Sequence, residues 1–292
     1  KEILMDTRYL RSLIAVVECG SIAKAARLEN LTAAAVSQRI VALERQLGLE
    51  LLVRVGHEAK PSLACMDLLP RARAIVNEVA LLAGDVDTQG LTGPLRIGAV
   101  STVLTGLLPQ ALRSLTRSTP QLKPVIVPGT SRSLYQALEA NELDAALVVA
   151  PPFALPRTFD AVLLRKEPLV FLSNEHSTQT IDARLQRCPY IQYDPDAWGG
   201  RHAVQYLQDH GLTPAALLDL DALETIALLT SQGLGVSLVP CWSGIERWTE
   251  SCVVEDVGDE RYDRKIVLIS HAQGARVRMV EALKQALQEK TP

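Results

Sequence analysis

The chain lacks the marks of several whole classes of protein. Its 292 residues hold five cysteines, Cys19, Cys65, Cys188, Cys241 and Cys252, widely spaced and with no CxxC pair. That excludes a disulfide-dense mini-protein and points to reduced thiols in the cytoplasm. No apolar run approaches the ~18 residues of a membrane span. The first residues show no basic stretch leading into a long apolar run and a small-residue cleavage site. Neither a membrane partner nor export is therefore expected. A nucleophile elbow, HExxH, a P-loop and GxGxxG are all missing. His57, His176, His202, His210 and His271 are scattered without metal-ligand spacing. The expectation is no enzyme, no metal and no cofactor.

A strong charge of one sign is also missing. The formal net charge is −3, which is unlike a non-specific nucleic-acid coat protein. Hydrophobic residues make up 48 %, charged residues 22 % and aromatics 4 %. This is an ordinary globular balance, and at roughly 150 residues per domain it suggests about two domains. The charge is unevenly spread. Residues 1–65 carry nine Lys or Arg against seven Asp or Glu, net +2; the remainder carries 21 against 26, net −5.

The basic part reads as helices. Leu10, Leu13, Ile14 and Val17 recur at i, i+3, i+4, i+7, which predicts a helix from Thr7 to Cys19 that Gly20 stops. Ser21 suits the N-cap of a short second helix, Ile22 to Leu28. Thr32 suits the N-cap of a third, running to Leu47 with Val36, Ile40, Leu43 and Leu47 on one stripe. Two short extended pieces around Gly56 follow and end at Pro61. From Met66, Leu68, Ala72, Ile75, Val79, Leu82 and Val86 form a heptad seam that wants a partner helix. Pro70 then falls near the start of that helix, where it is tolerated.

"TQGLTGP" reads as a linker. Beyond it, short apolar strands alternate with helices, which implies βαβ units, parallel sheet and two α/β lobes around a cleft. Ligands of such sheets bind outside the carboxyl ends of the strands.

A short helix, a tight turn and a longer helix opened by Thr32 form a helix-turn-helix pattern. Ala25 and Ala26 are small where helices cross. Ser37, Gln38 and Arg39 make a polar strip away from the core stripe, and Ala33, Ala34 and Ala35 leave the start of the helix clear for a major groove. Arg39 has a second reading, as an ion-pair partner of Glu44 or Glu29. Arg54, His57 and Lys60 flank the Gly56 turn and suit a wing on phosphate or the minor groove.

On "ECGSIAKAA" (Glu18 to Ala26) and "TAAAVSQRIVALERQLGLELLVR" (Thr32 to Arg54), the sequence resembles the LysR-type transcriptional regulators. "GLLPQALRSL", "ALEANELDAALV" and "LTSQGLGVSLVP" extend the resemblance over essentially the whole chain. There are departures. Ala33 stands where the family commonly has a DNA-contacting Gln, His57 where Arg is usual, Pro61-Ser62 where Leu-Thr is usual, and Cys65 where Gly is usual.

The resemblance implies a winged helix-turn-helix domain over residues 5–65, a dimerising linker helix over 66–88, and a two-lobed effector domain over 89–292. The effector domain is α/β, like the type 2 periplasmic binding proteins. Lobe I spans about 93–165 and 268–292, and lobe II about 166–267. The DNA-contacting set is Thr32, Ala33, Ala34, Ser37, Gln38, Arg39, Arg54 and His57. The cleft set is Ser101 and Thr102 after the first strand, Thr130 and Ser131 after the second, and Trp198 and Arg201 from the other lobe. Trp198 stacks on a ligand or packs on its lobe; Arg201 pairs with a ligand anion or a surface carboxylate. Glu224 reads as a first-turn dipole residue more than as a ligand contact.

The implied partners are operator DNA, a small organic effector, a second copy through the linker helix, a tetramer beyond that, and RNA polymerase. The competing functions are an architectural DNA-binding protein without effector, a solute-binding protein, and an enzyme in the α/β half.

Overall fold

The structure, a computed structural model, describes residues 5–55, 58–85, 91–274 and 276–289. Contacts divide the chain into two compact units. One reaches to residue 90 and takes in Glu139–Glu142; the other comprises Leu91–Leu138 and the chain from Leu143 onward.

The first unit is built from α1 (Thr7–Cys19), α2 (Ile22–Leu28), α3 (Ala33–Leu47), β1 (Leu52–Val55), β2 (Glu58–Pro61) and α4 (Leu63–Asp85). Asp6 caps α1 by accepting the Arg8 N–H, and Thr32 caps α3 by accepting the Ala35 N–H. Each such cap is worth about 1 kcal/mol. Gly20 and Gly48 take left-handed φ of 65° and 69° at the ends of α1 and α3, where a side chain would be strained. Ser21 holds the N-cap position of α2, but its side chain makes no cap bond. Leu10, Leu13, Ile40 and Leu43 bury one core against Ala72 and Leu51, while Ala15, Val16, Ala25, Ala26 and Val36 bury another. Ala25 and Ala26 let α1, α2 and α3 approach closely. Glu44 accepts the Leu51 and Leu52 N–H groups at 2.8 and 3.1 Å, tying β1 to the end of α3.

Helix α4 starts three residues earlier than the periodicity suggests. The Ser62 hydroxyl accepts the Cys65 N–H at 3.1 Å and donates to the Glu50 carbonyl at 2.7 Å, so it caps the helix and anchors it to the strands. Pro70 therefore lies inside the helix and not in its first turn. The heptad seam divides: Leu68 and Ala72 pack in the core of this unit, whereas Ile75 and Val79 are exposed. The Leu82 side chain and Val86 lie outside the described residues.

The second unit holds two sheet systems. Lobe I is a five-stranded sheet in the order β4-β3-β5-β12-β6, with β3 (Gly93–Ala99), β4 (Leu122–Pro128), β5 (Ala145–Val149), β6 (Phe159–Glu167) and β12 (Arg264–His271). Its helices are α5 (Ser101–Thr105), α6 (Leu108–Ser118), α7 (Ser131–Glu139) and α11 (Val277–Gln288). In lobe II, β10 (Ser237–Pro240) and β11 (Val253–Asp256) flank β7 (Leu169–Ser173), and β8 (Tyr190–Tyr193) pairs with β9 (Ala216–Leu220). Its helices are α8 (Ile181–Arg187), α9 (Arg201–Asp209) and α10 (Leu223–Ser231).

The expectation of parallel sheet is corrected. Strand β3 runs parallel to β4 and β5, and β8 parallel to β9. Strand β12 is antiparallel to β5 and β6, and both neighbours of β7 are antiparallel to it. The cause is chain order. The segment leaves lobe I along β6 and returns along β12, so two strands of opposite direction must lie side by side. Sequence reading also missed β6 and β11. Both alternate exposed and half-covered positions at a sheet edge, and their apolar signal is weak.

Candidate functional site

On α3 the 100° step per residue places Ala34 and Gln38 opposite the buried Val36, Ile40 and Leu43, with Ser37 on the flank and Ala33 exposed at the helix start. Thr32, Ala33, Ala34 and Gln38 are exposed and Ser37 is half-buried. Val41 and Arg45 continue that exposed face and were not in the sequence-derived set. The helical wheel alone could have found them.

Arg39 meets Glu29, a partner in its second reading. One residue past Gln38, it turns to the flank that meets α1. Its Nη1 donates to Ser12 Oγ at 3.0 Å and lies 3.6 Å from Glu29 Oε2, and Ser12 Oγ donates to the same Glu29 oxygen at 2.6 Å. Arg39 is thus an internal brace between α1 and the turn after α2. Its alternative partner Glu44 is already engaged by the Leu51 and Leu52 amides. Arg54 lies on β1, but its side chain falls outside the described residues, as does His57 entirely.

The second unit contains a cleft of about 670 Å³ between its lobes, in the range of small-molecule sites. The carboxyl ends of four strands converge on it: Ser101 and Thr102 follow β3, Thr130 and Ser131 follow β4, Asp194 follows β8 and Asp221 follows β9. Trp198 also lines it.

Several of these hydroxyls are already engaged. Ser101 Oγ donates to Glu224 Oε2 at 3.2 Å, and Thr105 Oγ1 to Glu224 Oε1 at 3.4 Å, so Glu224 in the first turn of α10 reaches across from the other lobe. Ser131 Oγ accepts the Val149 N–H at 3.1 Å. Thr130 and Ser133 bond each other at the start of α7. Trp198 is buried and packs edge-on to Phe153 and near Tyr135, with centroids 5.5 and 5.9 Å away, so it packs on lobe I and not on its own lobe, and it also lines the cleft.

Arg201 is bonded to the backbone. It lies outside the cleft lining, and its Nη2 donates to the Ala150 carbonyl at 2.9 Å. It is the first residue of α9, and its partner Ala150 directly follows β5 of lobe I.

The cleft floor holds a group the sequence did not single out. Arg264 and Glu167 are register partners on β12 and β6, at the points where the chain passes between lobes. Each side chain is 2 % exposed, and Arg264 Nε donates to Glu167 Oε2 at 2.6 Å. Arg264 Nη2 donates to Thr102 Oγ1 at 3.1 Å, and the charge of the same guanidinium acts on Tyr193. Thr102 is therefore held by Arg264. Burial pushes the Tyr193 phenol up, against the opposing pull of Arg264. Burial likewise raises the Asp221 carboxyl, and the neighbouring charge of Asp194 adds to it. The Asp194, Asp221 and Tyr193 positions were findable. The rule that ligands gather at the carboxyl ends of strands applies to β8 and β9 as it does to β3 and β4. What the sequence did not show is that β8 and β9 pair.

Among the described residues no three His, Cys, Asp or Glu side chains come together to hold a metal ion. Cys65, where the family has Gly, is fully buried, and burial pushes its thiol up. Among the described residues no helix is long and apolar enough to cross a membrane.

A three-helix reader with a strand pair, in one chain with a two-lobed cleft domain, defines the class of ligand-responsive DNA-binding regulators. A family model for bacterial regulatory helix-turn-helix proteins of the lysR family matches residues 7–65, and one for the LysR substrate binding domain matches residues 88–292. The chain belongs to the LysR family, and is a DNA-binding transcriptional regulator controlled by a small-molecule effector.

The hydrogen peroxide-inducible genes activator of Haemophilus influenzae is 27 % identical over 243 residues, 81 % of this chain and 80 % of that protein. A full-length OxyR variant from Pseudomonas aeruginosa shares the fold with a TM-score of 0.72 at 20 % identity, covering 97 % of this chain and 95 % of that one. Full-length CbnR in complex with its target DNA gives 0.68 at 21 % identity, covering 97 % and 100 %. At those identities the two structures establish shared architecture.

Proposed function

We propose that the effector occupies the interlobe cleft and that α3 reads a major groove. The observation that carries the first part is the convergence of four strand ends, with Ser101, Thr102, Thr130, Ser131 and Trp198, on one cavity of about 670 Å³. The second part is supported by the exposed Thr32, Ala33, Ala34 and Gln38, with the half-buried Ser37 beside them. Gln38 has the amide that pairs bidentately with adenine, and Thr32 and Ser37 suit phosphate or base edges. In this reading residues 5–65 are the reader, 66–88 pair two copies, and 89–292 respond to the effector. Arg54 and His57 belong to the wing. The chain acts in the cytoplasm without enzymatic activity, as a dimer or tetramer, with RNA polymerase as its downstream partner.

The ligand acts through its differential affinity for two lobe arrangements. Glu224 is the first group it disturbs, because a ligand that takes the Ser101 hydroxyl competes with a bond that spans the lobes.

The test is selection of bound sequences from random duplex DNA with the full chain. Gln38→Ala is expected to relax the preference at one position per half-site by about 1–3 kcal/mol. Arg39→Ala is expected to keep the base preference, because that guanidinium is turned onto Ser12 and Glu29. The opposite pattern refutes the assigned face.

A further inference from the structure

The charges around the cleft are unbalanced in a way that selects a ligand class. Five charged side chains line it: Arg132, Arg264, Asp194, Asp196 and Asp221. Arg264 is committed to the buried Glu167. That leaves three carboxylates against Arg132.

Two of the carboxylates are placed by backbone geometry. Strands β8 and β9 are parallel neighbours, with Tyr193 opposite Leu220, and Asp194 and Asp221 are the next residue on each. Adjacent strands lie about 4.8 Å apart, so two acids leave the same sheet end side by side. The Asp194 N–H donates to the Leu220 carbonyl at 2.9 Å, which fixes the pair at that end. Asp194 is held further by the turn that follows. Its Oδ1 accepts the Asp196 N–H at 2.9 Å, and its carbonyl lies where a Cβ on Gly200 would come within 1.8 Å, so the WGG turn closes directly over it. Two carboxylates held together at a cavity wall oppose each other's ionisation, and at Asp221 this adds to the larger effect of burial, against the opposing pull of Arg264. The cavity lies within the part of the chain that matches the LysR substrate binding domain.

We propose that the effector carries a protonated amine seated between Asp194 and Asp221. The proposal rests on reading the cleft as the effector site. The Ser101 and Thr130 hydroxyls and Arg132 on the lobe I side suit a second, polar or anionic end, so both α-amino acids and diamines present the required group. A simple carboxylic acid presents none: it can fill the Arg132 end, but it leaves the acidic wall unpaired.

The experiment is thermal melting of the full chain, read by tryptophan fluorescence, with three probe sets: the common L-amino acids, diamines such as putrescine and agmatine, and amine-free acids such as pentanoate, glutarate and benzoate. A ligand of the folded state raises the melting temperature. An amine-bearing probe is expected to stabilise, and its deaminated counterpart is not. Asp221→Asn is expected to weaken that probe by about tenfold or more, as loss of a charged hydrogen bond does. Without ligand, Asp221→Asn is expected to melt no lower than the parent, because it removes a repulsion; a clearly lower value assigns the carboxylate a structural partner and overturns the proposal. Stabilisation by an amine-free acid that persists in Asp221→Asn and is lost in Ser101→Ala overturns the amine and leaves the cleft in place. Amine binding unaffected by both substitutions puts the ligand elsewhere and overturns both readings, as does the failure of all three probe sets.

Discussion

Replacing Glu167 with Gln leaves the Arg264 guanidinium buried without its counter-charge. Both side chains are 2 % exposed, so solvent offers no substitute. Breaking a buried pair from one side costs about 3–5 kcal/mol, because the surviving charge keeps its desolvation penalty and loses its attraction. For a unit of roughly 200 residues, each kcal/mol moves the midpoint by about 2–4 °C, so the expected fall is roughly 6–20 °C. Removing both charges is a different perturbation. Glu167→Met with Arg264→Met exchanges the pair for apolar groups, and is expected to cost about 1 kcal/mol or less, or to stabilise. Urea unfolding can follow this, because all three tryptophans, Trp198, Trp242 and Trp248, lie in the second unit and report on it alone. A Glu167→Gln cost below about 1 kcal/mol, or a double variant as unstable as the two single variants combined, refutes the argument that the pair is a desolvated, mutually dependent unit.

Two further outcomes follow from the packing. His202 Nε2 is buried without a hydrogen-bond partner, and burial first, then Arg201, Arg264 and Lys265, push the imidazole down to about 4 from its usual 6.5. The folded state therefore resists a proton that the unfolded state takes up, so stability is complete above pH 6.5 and falls as the pH drops toward 4. The loss from pH 8 to pH 5 is about 2 kcal/mol, and urea midpoints of His202→Gln should show a flatter acid limb than those of the parent. At Gly106 an added Cβ would come within 2.3 Å of the Ser243 carbonyl oxygen, a contact that crosses between the lobes. Gly106→Ala is expected to destabilise by about 1–3 kcal/mol in the same urea assay, and a neutral result would show that the lobes part there freely.

The sequence was most informative where one element carries its own signal. The residues of α1, α2 and α3 follow from an apolar stripe at 3.6-residue spacing bounded by Thr32, Gly20 and Gly48. Helix α4 was misjudged at its start because Ser62 caps it through bonds to residues on both sides, which a periodicity scan does not weigh. In the cleft, Ser101, Thr102, Thr130 and Ser131 were visible because each follows a recognisable strand. Asp194 and Asp221 also follow recognisable strands, but their pairing across 27 positions of chain was not legible, and neither was that of Glu167 and Arg264 across 97. Arg39 and Gln38 are neighbours with opposite fates. The 100° between them, together with a carboxylate on another helix turn, decides which faces outward.

Lobe I is not finished until its last third has been made. Strand β12 is flanked by β5 and β6, yet lies more than 90 positions beyond them, with all of lobe II in between. During synthesis β3, β4 and β5 emerge first and expose an open edge while lobe II is translated. At about 5–20 residues per second that interval lasts roughly 5–20 seconds. An unpaired edge is a template for wrong pairing, so the nascent chain is most aggregation-prone in that window. Any break in translation before Arg264 would leave β5 and β6 without their shared neighbour.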